Sequence, residues 1–280
     1  MPPTDKFITI RGLRLHYLEA GTPAGPVVVC IHGLTNNAHD FDALAQHLAP
    51  SYRVIALDIR GRGESQWGPA QGYNIPNYVE DLAALIEALS IRRMSLIGNS
   101  MGGRISILYA ANHPEQVERL VLNDIAPSLD PAVTERINRN VADTPSEFED
   151  LDAVVRFYRD NPSMTGLAGY TGALLTEAAR WSVKPTPTGR LIWKTDPALR
   201  GTAPGQTPIR QLDLWPQFEG LTIPILIVRG GDSEVLPLAT AQRMCSVARN
   251  ARLVEVTGIG HLASLVEPEV LAALHEFFRS

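Results

Sequence analysis

The spacing of apolar and polar positions divides the chain into two similar stretches separated by a different one. In the first, "FITIRGLRLHYLEAG" alternates on either side of Arg11-Gly12, which predicts a β-hairpin. "VVVCIHG" is an unbroken apolar run ending in glycine, as expected of a strand buried on both faces. "HDFDALAQHLAP" follows at helical period and stops at Pro50. The rhythm then repeats: "RVIALD" reads as a strand, "NYVEDLAALIEALS" as a helix, "RMSLIGN" as a strand, "MGGRISILYAANHP" as a helix and "VERLVLND" as a strand. It resumes near the end with "IPILIVRG", "LATAQRMCSVAR", "ARLVEVTG" and "PEVLAALHEFF". Strands alternating with helices predict a mostly parallel sheet covered by helices on both faces.

From Ser128 to Phe218 the pattern changes to short helical stretches and proline–threonine clusters such as "KPTPTGR", with no buried strand legible. This segment, 128–218, is expected to be a cap inserted into a core made of 1–127 and 219–280. It carries Trp181, Trp193 and Trp215, which fit either the lining of an apolar pocket or a small core of the cap itself.

Composition narrows the function classes. A chain of 280 residues that is 45% hydrophobic can bury a sizeable core. Its net charge of −5 and the lack of a basic run argue against a nucleic-acid partner. No apolar run approaches the roughly 18 residues needed to span a bilayer. "MPPTDKFITI" has no secretory pattern, and Cys30 and Cys245 form no disulfide framework, so a cytoplasmic location is expected. His32, His39 and His47 lack zinc-ligand spacing, and neither a metal nor a cofactor is expected.

The candidate chemistry centres on "GNSMG", where Gly98 and Gly102 flank Ser100 between a strand-like and a helix-like run. A serine at so tight a junction needs small neighbours, and its hydroxyl would project at the carboxyl edge of the sheet. Serine is a poor nucleophile without a base. Among the seven histidines, His261 in "TGIGHLASLVEP" follows the last predicted strand in a loop at the same edge, and is the expected base. His32 ends a strand and reads as structural.

Together, "GNSMG", His32-Gly33, "DIRGRGES" and the final "GIGH" resemble the α/β-hydrolase superfamily over nearly the whole chain. The resemblance implies an eight-stranded sheet and the order nucleophile, acid, histidine. It also implies an oxyanion hole formed by the backbone N–H groups of Leu34 and Met101, and a purely structural role for Asp58, Arg60 and Ser65. For the acid, the pattern in "VRGGDSEVLP" places Glu234 first and Asp232 second; Asp124, after the preceding strand, comes third. Haloalkane dehalogenases and epoxide hydrolases of the superfamily are excluded because they need aspartate where Ser100 stands. The expected activity is cleavage of a small carboxylic ester or lactone through an acyl-enzyme. Carbon–carbon bond hydrolysis is the alternative, although "LTNN" and Leu262 depart from that group's pattern. A ligand-binding protein on the same fold is a further alternative.

Overall fold

The computed structural model describes residues 3–162, 167–200 and 212–279. Its main sheet contains β1 (Thr4–Ile10), β2 (Leu13–Gly21), β3 (Val27–Ile31), β4 (Arg53–Leu57), β5 (Met94–Asn99) and β6 (Val117–Asn123). After an inserted segment come β10 (Ile225–Gly230) and β11 (Ala251–Val256). The strand order is β1-β2-β4-β3-β5-β6-β10-β11; β2 runs antiparallel to β1 and β4, and the remaining pairs are parallel. The predicted hairpin turns at Arg11 and Gly12, both with positive φ (48° and 75°). Two successive residues of that hand match the twist of the flanking strands.

Alternation along the central strands builds two cores. Val29 and Ile31 of β3, Leu96 of β5, Leu120 and Leu122 of β6 and Ile225 and Ile227 of β10 face one side. Helices α2 (Ile75–Ala88) and α3 (Met101–Asn112) cover them. Val28, Cys30, Ile97, Val121, Leu226 and Val228 face the other, beneath α1 (Asp42–Leu48) and the C-terminal helix Pro268–Arg279. Because both of its faces are covered, β3 is apolar at every position, as its unbroken run predicted, and the neighbouring strands are apolar over most of their length.

Between β6 and β10 lie α4 (Pro131–Asp143), α5 (Leu151–Asp160) and α6 (Gly172–Ser182), with a small sheet in the order β7-β9-β8. Those strands, β7 (Glu147–Phe148), β8 (Val183–Pro185) and β9 (Leu191–Trp193), span two or three residues each, too short for any periodicity to reveal. Phe148, Phe157, Tyr158 and Trp193 pack into an aromatic core of this segment's own. Trp181 instead stacks on His39 of the main body, 3.7 Å between centroids. The boundary at 218 needs adjustment, because Leu214 and Phe218 are fully buried in the main core beside α3. Among the described residues, no helix is long and apolar enough to cross a membrane.

Candidate active site

Ser100 links β5 to α3 with φ 49° and ψ −114°, a region that side chains rarely occupy. The flanking glycines are needed because backbone crowds them. A Cβ on Gly102 would lie 2.0 Å from the Ile31 carbonyl oxygen, and one on Gly98 would lie 2.4 Å from the Gly103 nitrogen. Neither neighbour can move without distorting the central strands or the first turn of α3. Gly102→Ala is therefore expected to destabilise the fold by on the order of 3 kcal/mol in denaturant titration. Gly33→Ala, whose Cβ would come no nearer than 3.5 Å to Asn36, should unfold near the wild-type midpoint. Equal midpoints for the two variants would contradict this reading of the turn.

The Ser100 Oγ lies 3.0 Å from His261 Nε2, and His261 Nδ1 lies 2.7 Å from Asp124 Oδ2. The Asp124 carboxylate is fully buried and also accepts from the Gly230 N–H at 3.1 Å and from the Ser233 hydroxyl. A buried carboxylate must be the acceptor toward Nδ1–H, which leaves Nε2 free to accept from serine. Asp124 has φ 54°, and its own N–H is bonded to the Val228 carbonyl.

This geometry corrects the order of the acids. Glu234, placed first by sequence, does not reach His261. Its side chain is 68% exposed and forms an ion pair with Arg136 of α4 at 3.0 Å. Asp232 is also exposed, although both line the opening that holds Ser100 and His261. Ser233 accounts for the difference. It turns inward to donate to Asp124 while accepting from the N–H groups of Val235 and Leu236, so the residues on either side of it face out. Sequence reasoning missed Ser233; its one visible sign was the serine of "GGDSE".

The neighbouring strand end is held in place by buried groups. His32 Nδ1 donates to the Gly33 carbonyl at 2.7 Å, and His32 Nε2 accepts from the Ile59 N–H at 3.0 Å. The Gly33 carbonyl belongs to the same peptide as the Leu34 N–H, so the ring sets the direction of that donor. Arg62, fully buried, donates to the Leu34 carbonyl and holds the next peptide. Met101 is the first residue of α3, where an N–H has no partner within the helix. The two expected oxyanion donors thus belong to the strand end and the helix start on either side of Ser100.

The stretch expected to be structural supports the same loop. Asp58 accepts from the Ala38 N–H (2.6 Å), the Glu64 N–H (2.8 Å) and His16 Nδ1 (2.7 Å). Ser65 donates to the Asp58 carbonyl, and Arg60 pairs with Asp81. Burial opposes charge on His16, but hydrogen bonds to Asp58 and Asp5 outweigh it and raise its pKa. Burial instead pulls His32 down to about 4. Its folded pKa lies below the unfolded value of about 6.5, so its contribution is fully present above that value. The contribution is lost as pH falls from 6.5 to 4, in total about 3 kcal/mol. His32→Gln should remove that part of the pH dependence in denaturant titrations; parallel wild-type and variant curves would count against it.

Ser100 and His261 open into a cavity of about 360 Å³ that is also lined by Gly33, Leu34 and, from α4, Arg136 and Val141. Among the described residues, no group of three or more His, Cys, Asp or Glu side chains is placed to hold a metal ion.

A sequence model described as "alpha/beta hydrolase fold" matches residues 26–268. The chain belongs to the α/β-hydrolase family. It is 34% identical over 274 residues to the 3-hydroxybutyrate-oligomer hydrolase of Cupriavidus necator, covering 95% of this chain and 92% of that protein. It is 30% identical over 283 residues to the 2-(acetamidomethylene)succinate hydrolase of Mesorhizobium japonicum, covering 98% and 96%. A crystal structure of an α/β hydrolase from Novosphingobium aromaticivorans superposes with a TM-score of 0.86 at 32% identity, covering 99% of this chain and 98% of that one. These likenesses run across the inserted segment as well as the sheet, and they support an enzyme of the hydrolase class.

Proposed function

We infer that this α/β-hydrolase is a serine hydrolase that cleaves a carboxylic ester or lactone through an acyl-enzyme. The observation that carries the reading is the continuous hydrogen-bonded line from Ser100 through His261 to the buried Asp124. In the first half-reaction, Ser100 Oγ attacks the carbonyl carbon while His261 Nε2 takes its proton. Asp124 holds the ring in the required tautomer and balances the imidazolium charge. The Leu34 and Met101 N–H groups hold the oxyanion as it forms. His261 then returns the proton to the leaving alkoxide, which departs as the alcohol and leaves the acyl group on Ser100. In the second half-reaction, water attacks that ester with His261 again as base, and the acid is released.

The segment between β6 and β10 acts as the cap in this reading. It contributes Arg136, Ile137, Asn140 and Val141 to the cavity wall, so it selects the substrate without supplying the reacting groups. The likeness to a 3-hydroxybutyrate-oligomer hydrolase points to short oligoesters of hydroxy acids as the substrates to assay first.

The test is hydrolysis of 4-nitrophenyl butyrate, small lactones and linear 3-hydroxybutyrate oligomers, with acid and alcohol products quantified. Multiple turnovers on at least one of these are expected, with 4-nitrophenol released in a burst if deacylation is slower. Failure on every ester and lactone, together with turnover of a vinylogous diketone, would replace this reading with carbon–carbon bond hydrolysis. Stoichiometric binding without turnover would point to a ligand-binding protein.

A further inference from the structure

Beside the cavity that holds Ser100 lies a narrow slot of about 30 Å³, bounded by Leu34, Thr35 and Val141, which line both spaces. The slot has room for a few atoms, the size of a small end group. Its walls are largely apolar, including Leu199 and the Trp193 ring, but Arg200 also lines it. Arg200 closes a short helical turn, Pro197–Arg200, in the inserted segment and is half-buried.

Two features set this arginine apart. First, among the described residues no carboxylate lies within ion-pair distance of it, whereas Arg136, the other cation at the site, is paired with Glu234. The segments outside the description, 1–2, 163–166, 201–211 and 280, contain no Asp or Glu that could supply a side-chain partner. Second, among the described residues only one of its five N–H donors has a hydrogen-bond partner. Nη1 donates to the Pro145 carbonyl at 3.1 Å, and the guanidinium carbon lies 5.7 Å from the centre of the Trp193 ring. Partial desolvation with no counter-charge lowers this group's pKa to about 10. A planar guanidinium at an apolar slot, with donors that no described residue takes up, matches the two oxygens of a carboxylate.

We propose that Arg200 is a specificity residue that binds a free carboxylate at the end of the substrate lodged in the slot, making the substrate an ester that also carries an anionic group. This rests on the reading of the site as an ester hydrolase. It extends that reading by stating which esters are preferred.

The test compares wild type, Arg200→Gln and Arg200→Lys on two matched pairs. One pair carries the charge on the acyl side: 4-nitrophenyl hydrogen glutarate against 4-nitrophenyl pentanoate. The other carries it on the alcohol side: 4-acetoxybutyrate against its methyl ester. In at least one pair, Arg200→Gln should raise KM for the free acid about ten- to a hundredfold. Its kcat, and both constants for the neutral partner, should stay within about twofold of wild type; Arg200→Lys should fall between, keeping the charge but not the planar fork. Equal losses on charged and neutral esters would mean that Arg200 only braces Pro145 and Trp193. No loss on either acid would also overturn the proposal.

Calorimetric binding of glutarate to Ser100→Ala protein, with and without Arg200→Gln, needs no turnover. Weaker binding with Arg200→Gln supports the anion subsite even if ester hydrolysis fails. Equal binding to the two proteins overturns the subsite whether or not esters are hydrolysed.

Discussion

Replacing Ser100 with alanine is expected to lower ester turnover by about 10⁴- to 10⁶-fold while leaving the fold intact. The size of the effect follows from what remains. His261 and Asp124 would still be paired, but the base would have no hydroxyl to deprotonate and no acyl-enzyme could form. The oxyanion donors would survive and account for any residual acceleration over water. Stability should change little, within about 1 kcal/mol, because alanine keeps the Cβ that already occupies the strained position. Steady-state rates on an activated ester, measured beside a denaturant titration, separate the two effects. A variant that keeps more than about a thousandth of wild-type activity would contradict the nucleophile assignment.

Asp124→Asn is expected to reduce turnover by about 10³- to 10⁴-fold. The amide nearly fills the same volume and can still accept the Gly230 N–H. It loses the charge that balances the imidazolium, and it can turn its NH₂ toward His261, favouring the wrong tautomer. Glu234→Gln should leave kcat within about twofold of wild type. It breaks only a surface ion pair with Arg136, of a kind that contributes between about 0 and 1 kcal/mol. Asp232→Asn should likewise have little effect on kcat. The comparison is kcat for the three variants on one ester. Collapse in Glu234→Gln with near-normal turnover in Asp124→Asn would reverse the assignment of the acid.

Much of the architecture could be read from the sequence, because strands buried on both faces are mostly apolar and the helices between them keep their period. Ser100 was legible for a local reason: its two glycines are imposed by atoms within a few residues of the turn or on the adjoining strand. His261 was legible because one short glycine-flanked loop follows the last strand. The carboxylate that meets His261 was not legible, because three carboxylates stand after two neighbouring strands and the choice depends on side-chain direction. Asp124 points to His261 from a backbone with φ 54°, and Ser233 turns inward between Asp232 and Glu234. A one-residue difference in which side chain faces inward leaves no trace in composition or periodicity. The small sheet of the insertion was missed for another reason, since Phe148 and Trp193 are held there by aromatic packing rather than by strand length.

The central claim is that Ser100 is activated by His261 and Asp124 to attack an acyl carbonyl. Its most direct test is covalent labelling with a fluorophosphonate, followed by peptide mass mapping, in wild type, His261→Ala and Asp124→Asn. Only an activated serine attacks such phosphorus at a useful rate. The expected result is one adduct on Ser100 of the wild type, formed orders of magnitude more slowly in the two variants. A label on another residue, or labelling of Ser100 at the same rate in all three proteins, would contradict the account.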